Sequence, residues 1–131
     1  SVDITSLRVS SLNGTQIAQA NGATVNLVGV PDEQKMKYIN VTVNEACTLK
    51  LTYLEGVTLP SGGETQKTLS ANTESQFDID VLLGTLGFNT KDNDGVSLKN
   101  LRELSSSIDI SGEIYQNDQL KKSISLTIQL K

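Results

Sequence analysis

Along much of the chain, apolar and polar residues alternate one by one. From Ser123 to Lys131, Ile124, Leu126, Ile128 and Leu130 hold one parity, while Ser123, Ser125, Thr127 and Gln129 hold the other. Successive side chains of a strand point to opposite faces, so this spacing predicts a strand with one dry face and one wet face. The stretch from Tyr38 to Leu54 follows the rule twice. Ile39, Val41 and Val43, then Cys47, Leu49, Leu51 and Tyr53, alternate with Asn40, Thr42, Thr48, Lys50 and Thr52. Asn44-Glu45-Ala46 between the two runs reads as a tight connection or a bulge. Further strands are expected over Ile4 to Ser10, Thr24 to Val30, Gln76 to Val81 and Ser107 to Tyr115. They are separated by Gly-, Asn-, Asp- and Pro-rich turns such as Asn13-Gly14, Asn21-Gly22, Pro31-Asp32 and Gln116-Asn117-Asp118.

Two segments share one pattern. Val25 to Val43 and Ile108 to Ile128 each read as a strand, then a polar turn with two lysines (Lys35 and Lys37; Lys121 and Lys122), then an alternating strand. The expectation is two similar hairpins. Alternation breaks in one region, where Val81, Leu82, Leu83 and Leu86 cluster as on a short helix. There, Leu86-Gly87-Phe88 reads as a helix stop, with Gly87 in the left-handed position and Phe88 folding back towards Leu83. Leu98, Leu101 and Leu104 then recur at three-residue steps, with Ser97 or Asp94 available as a cap, which predicts a second short helix.

The pattern as a whole predicts an all-β protein, an antiparallel β-sandwich of immunoglobulin-like type. It would have about seven strands and one or two short helices in a crossover near residues 80–105. A jelly roll or small closed barrel shares the same strand signals. The chain has 131 residues, which fits a single domain, 1–131, large enough to bury a core with no disulfide or metal staple. Cys47 is the one cysteine and lies on the apolar parity of its strand, as a small core hydrophobe would. Eleven basic residues against fifteen acidic ones give a net charge of -4, which disfavours nucleic acid and anionic lipid as partners. No apolar run approaches the roughly 20 residues of a membrane-spanning helix, so no membrane insertion is expected.

Composition also restricts the chemistry. There is no histidine, which removes Ser-His and Cys-His nucleophile activation and histidine-containing zinc sites. Neither a nucleophile elbow nor a phosphate-cradling loop with its lysine is present. Paired carboxylates could split acid and base roles, as with Asp78 and Asp80 or Asp109 and Glu113. Asp78 and Asp80, however, oppose Phe77, Ile79 and Val81 in parity, which predicts a solvated strand face. The expectation is a protein that is not an enzyme.

Two candidate sites come forward. Asp92 and Asp94 flank Asn93 ahead of Gly95, as carboxylates of a calcium loop do. But with Gly95 in that loop's glycine position, Thr90 stands where the first carboxylate belongs and Leu101 where the closing glutamate belongs. The bland reading is a tight turn. Tyr38 and Tyr115 sit at the turn ends of the two look-alike segments. Tyr53, Phe77 and Phe88 are assigned to the core, so this pair alone is spare to stack on a ligand such as a glycan. The triplets Asn13-Gly14-Thr15 and Asn40-Val41-Thr42 match the N-glycosylation pattern. By exclusion, the expected function is a non-catalytic structural or protein-interaction module of a surface, pilus or virion assembly. Its partners would be other protein subunits, as a homo-oligomer or larger assembly in an extracellular, cell-surface or virion setting. No cofactor is expected, and the alternative is a glycan- or calcium-binding module.

Overall fold

The alternating segments assemble into two main sheets. The computed structural model describes residues 1–53, 64–84 and 92–131. In chain order the strands and helices are β1 (Ile4–Ser10), β2 (Gln16–Gln19), β3 (Thr24–Asn26), β4 (Lys35–Met36), β5 (Tyr38–Val43), β6 (Cys47–Tyr53), β7 (Glu64–Leu69), β8 (Ser75–Asp78), α1 (Ile79–Leu83), β9 (Val96–Ser97), α2 (Leu98–Leu104), β10 (Ser107–Gln116) and β11 (Gln119–Gln129). One sheet has the order β2-β1-β5-β8, the other β3-β11-β10-β6-β7, and β4 and β9 form a small ribbon of their own. Every pairing is antiparallel except β3 with β11.

The dry faces meet between the two sheets. Leu7, Val9, Ile39, Val41 and Phe77 of the smaller sheet join Leu49, Leu51, Tyr53, Ile108, Ile110, Leu126 and Ile128 of the larger in one buried cluster. Leu7, Val9, Ile39, Val25, Ile110, Leu126 and Ile128 enclose a residual space of only about 10 Å³, so the layers are tightly packed. Cys47 belongs to this cluster as a buried free thiol, and burial, followed by the charge of nearby Glu45, pushes its pKa up. The fold is a sandwich-like all-β structure with two short helices among the described residues.

Several details differ from the sequence pattern. Eleven strands are present among the described residues where about seven were expected. The strand expected over Thr24 to Val30 ends at Asn26, whose side chain accepts a hydrogen bond from the Val28 amide at 3.0 Å and turns the chain. The strand expected over Gln76 to Val81 stops at Asp78 because that carboxylate caps α1. Its Oδ1 accepts from the amides of Asp80 at 2.8 Å and Val81 at 3.4 Å.

Of the two expected hairpins, only β10–β11 exists. Its turn residues Asn117 and Asp118 both have positive φ, which suits the right-handed twist of the flanking strands. In the other segment the chain crosses between sheets, since β3 lies beside β11 and β5 beside β1. Buried Met36 and its β4 neighbour Lys35 pair with β9 on the way.

Both helices lie on the passage from β8 to β10, and Ser97 caps α2 by accepting from the Asn100 amide at 3.2 Å. The Gly87-Phe88 helix stop lies outside the described residues. Arg102 fastens α2 to the sandwich, donating to the carbonyl oxygens of Leu130 at 2.8 Å and Leu27 at 2.7 Å and to Asp32 at 2.7 Å.

Candidate functional site

Lys37 sits between the last residue of β4 and the first of β5. Its backbone amide donates to Ser10 O and its carbonyl accepts from the Ile79 amide. These two bonds fix the side chain against the start of α1. There the Lys37 Nζ donates to Asp80 Oδ2 at 2.9 Å and to Asp78 Oδ2 at 3.0 Å. Lys37 is 3% exposed and Asp80 1%, while Asp78 remains 30% exposed, so one arm of the cluster reaches water and the other does not.

The Gly95 amide closes over Asp80, donating to Oδ2 at 3.1 Å, and Asp80 Oδ1 is buried without a hydrogen-bond partner. Gly95 has φ +112°, and a β-carbon there would stand 2.7 Å from Met36 O, so the approach of this turn to β4 depends on glycine. Burial alone would push the Lys37 ammonium down. The hydrogen bonds of Asp80 and Asp78, with their charges, outweigh that and hold it above the ordinary lysine value. The parity expectation that Asp78 and Asp80 form a solvated strand face is therefore corrected for Asp80, because the strand has ended and α1 turns it inward, while Asp78, the last residue of β8, keeps its reach to water. No periodicity signal could have shown this, because Lys37 and Asp80 lie 43 residues apart along the chain.

Tyr38 and Tyr115 are not brought together. Tyr38 opens β5 opposite Ser10 and Asp78, and Tyr115 pairs with Thr48 just after the β5–β6 connection, so the two tyrosines occupy opposite ends of the sandwich. Tyr38 is half-buried, with the Lys37 Nζ 5.8 Å from its ring centroid. Tyr115 lines an open groove of about 360 Å³ on the outer face of the larger sheet with Thr48, Lys50, Gln66, Asn117 and Asp118.

Compared with known proteins, the chain matches no family model and no curated sequence.

Asp92 is exposed on the turn that leads to β9, and Asp94 accepts from the Lys35 Nζ at 2.8 Å. Asn93 and Gly95 both have positive φ, as the turn reading requires. Among the described residues no group of three or more potential metal ligands converges here or elsewhere. Asn40 of the second glycosylation triplet is fully buried, its Nδ2 donating to Ser10 Oγ at 2.7 Å, so in the folded protein it is closed to a glycosylating enzyme. Asn13 is exposed.

The larger sheet also carries an open edge. Strand β11 pairs with β10 along its whole length, but on its other side β3 covers only Thr127 to Gln129. Thr127 N donates to Ala23 O, and Gln129 O accepts from Leu27 N, so both residues aim their backbone at the β3 side. Residues two apart point the same way, which turns the amides and carbonyls of Ser123 and Ser125 outward. Among the described residues no strand meets them. Lys121 is the extra residue at a register shift near the turn, and Lys122 is held by Asp3 at 2.7 Å, so charge guards the turn end of this edge and leaves Ser123 to Leu126 uncharged.

Proposed function

We propose that the chain is a non-catalytic protein-interaction module that works by strand addition, within a surface, pilus or virion assembly of like subunits. The observation that carries this reading is the open, uncharged edge of β11 at Ser123–Leu126. It offers backbone donors and acceptors in register for an incoming strand. An immunoglobulin-like kinship is part of the same reading. The neighbour order β1-β5-β8 in one sheet and β7-β6-β10-β11 in the other follows the order of equivalent strands in such sandwiches. Domains of that architecture serve many functions, so the edge, and not the fold, is the argument.

The test is sedimentation velocity over a range of concentrations, comparing the chain with a Ser125→Pro variant. The Ser125 amide makes no bond within the β10–β11 ladder, so proline there removes a donor offered to a partner and little else. The chain is expected to associate and the variant to stay monomeric. A chain that remains monomeric at the highest concentration, or a variant that associates equally well, counts against the proposal.

The groove beside Tyr115 favours a second reading, a glycan site. It combines an aromatic wall with amide, hydroxyl and carboxylate groups suited to sugar hydroxyls. A glycan array should then give a signal that Tyr115→Ala abolishes and Tyr38→Ala leaves intact. Silence on the array retires this reading.

A further inference from the structure

The Lys37 cluster plays no part in strand addition, yet Lys37 and Asp80 are the most heavily buried charges among the described residues. We propose that Lys37 and Asp80 condense into an intramolecular amide, a cross-link between the β4–β5 junction and α1, with Asp78 carrying the protons. The reacting groups are already in contact, with Nζ 2.9 Å from Asp80 Oδ2 and 3.0 Å from Asp78 Oδ2. Their surroundings exclude water from the Lys37–Asp80 pair, while Asp78 keeps a path to solvent.

The step balances without any co-reactant. A proton passes from the Lys37 ammonium, by way of Asp78 Oδ2, to Asp80 Oδ1, giving an amine and a carboxylic acid, and the dry pocket lowers the cost of reaching this neutral pair. The Nζ lone pair then attacks Asp80 Cγ. Asp78 Oδ2 removes one proton from the nitrogen and returns it to the departing Oδ1, which leaves as water. Of the three ammonium hydrogens, one stays on the new amide and two leave in the water, and Asp78 ends as it began.

Each remaining contact fits a part of this sequence. The Gly95 amide, 3.1 Å from Oδ2, holds the oxygen on which negative charge develops and which becomes the amide carbonyl. Asp80 Oδ1 has no partner, so the oxygen that leaves breaks no hydrogen bond. Asp78 Oδ1 is occupied by the first amides of α1, which aims its Oδ2 at the lysine. Because the two carboxylates favour the ammonium form before reaction, the neutral pair is a minor population, and the link forms as a maturation step after folding.

Intact-mass spectrometry of the denatured full chain, after extended incubation in the folded state, tests this. The chain should be lighter than its sequence by one water, trypsin should no longer cleave after Lys37, and a branched peptide should join Lys37 to Asp80. Lys37→Arg should keep the full mass. Asp78→Asn retains a helix-capping oxygen, so it should fold, but it should form the link at least about a hundredfold more slowly, the usual worth of a placed acid-base group. A wild-type chain that folds by circular dichroism yet keeps its full mass and is cleaved normally after Lys37 overturns the proposal. So does a one-water loss that maps to Asp94-Gly95, where an Asp-Gly sequence can cyclise on its own backbone.

Discussion

Replacing Lys37 by alanine is expected to leave the protein about 3–5 kcal/mol less stable than replacing Lys37 by methionine together with Asp80 by asparagine. The single substitution strands Asp80 in a site where it is 1% exposed and has lost its cation. The double substitution removes the charge, keeps an acceptor for the Gly95 amide and fills the volume of the lysine stem. Neither variant has the lysine amine, so the comparison isolates the stranded charge from any cross-link. Urea denaturation followed by circular dichroism reads the difference as a shift in midpoint at similar slope. Equal midpoints would mean that water reaches Asp80 freely.

The pH dependence of the unsubstituted chain has a fixed sign. While Lys37 keeps its ammonium, its folded pKa is raised, so its stabilisation is complete below the ordinary lysine value and is lost as pH rises through the raised one. Once the amide has formed, nothing titrates at this position and that alkaline loss disappears.

Gly95→Ala is expected to destabilise the fold by on the order of 3 kcal/mol, from left-handed backbone strain and overpacking together. The added β-carbon would meet Met36 O, at the end of β4, at 2.7 Å and the backbone Cα of Lys37 itself at 3.4 Å. Relief requires the 92–97 segment to lift from β4, which withdraws the Gly95 amide from Asp80. Thermal unfolding should therefore show a lower Tm for the variant. A Gly14→Ala control, where φ is also positive but nothing lies within 4 Å, should lose less. An equal loss at both positions would assign the whole effect to φ and none to the contact with β4.

The strands legible in the sequence were those with one wet and one dry face. β6 matched its expected limits of Cys47 and Tyr53, and β1 matched Ile4 to Ser10. The strands that escaped notice lie at sheet edges, where less surface is buried and the pattern fades. β7 reads Glu-Thr-Gln-Lys-Thr-Leu with only Leu69 buried, and β2 has no fully buried residue. Lys67 shows why parity failed there. It opposes Leu49 and so lies on the inward parity, but at an edge its Nζ reaches out over the Phe77 ring at 5.8 Å and stays exposed.

The Lys37 cluster was hidden for a different reason. Asp78 ends a strand by capping a helix, and once the period changes from two to 3.6 the side of Asp80 can no longer be read from Phe77 and Ile79. Its partner Lys37 is 43 residues away along the chain, and single-sequence patterning carries no information on contacts at that separation. The turn at Asn93 and Gly95 was legible because left-handed backbone leaves a local signature in residue type.

The three acceptors of Arg102 have a kinetic consequence. Leu27, Asp32 and Leu130 belong to segments that the β10–β11 and β3–β11 pairings bring together. A chain dominated by such distant pairings is expected to fold slowly, and α2 is expected to gain its full set of Arg102 bonds only when these segments have met. A fluorophore placed on the solvent side of α2, at Lys99, should thus report the closing phase of refolding, lagging behind the gain of sheet signal.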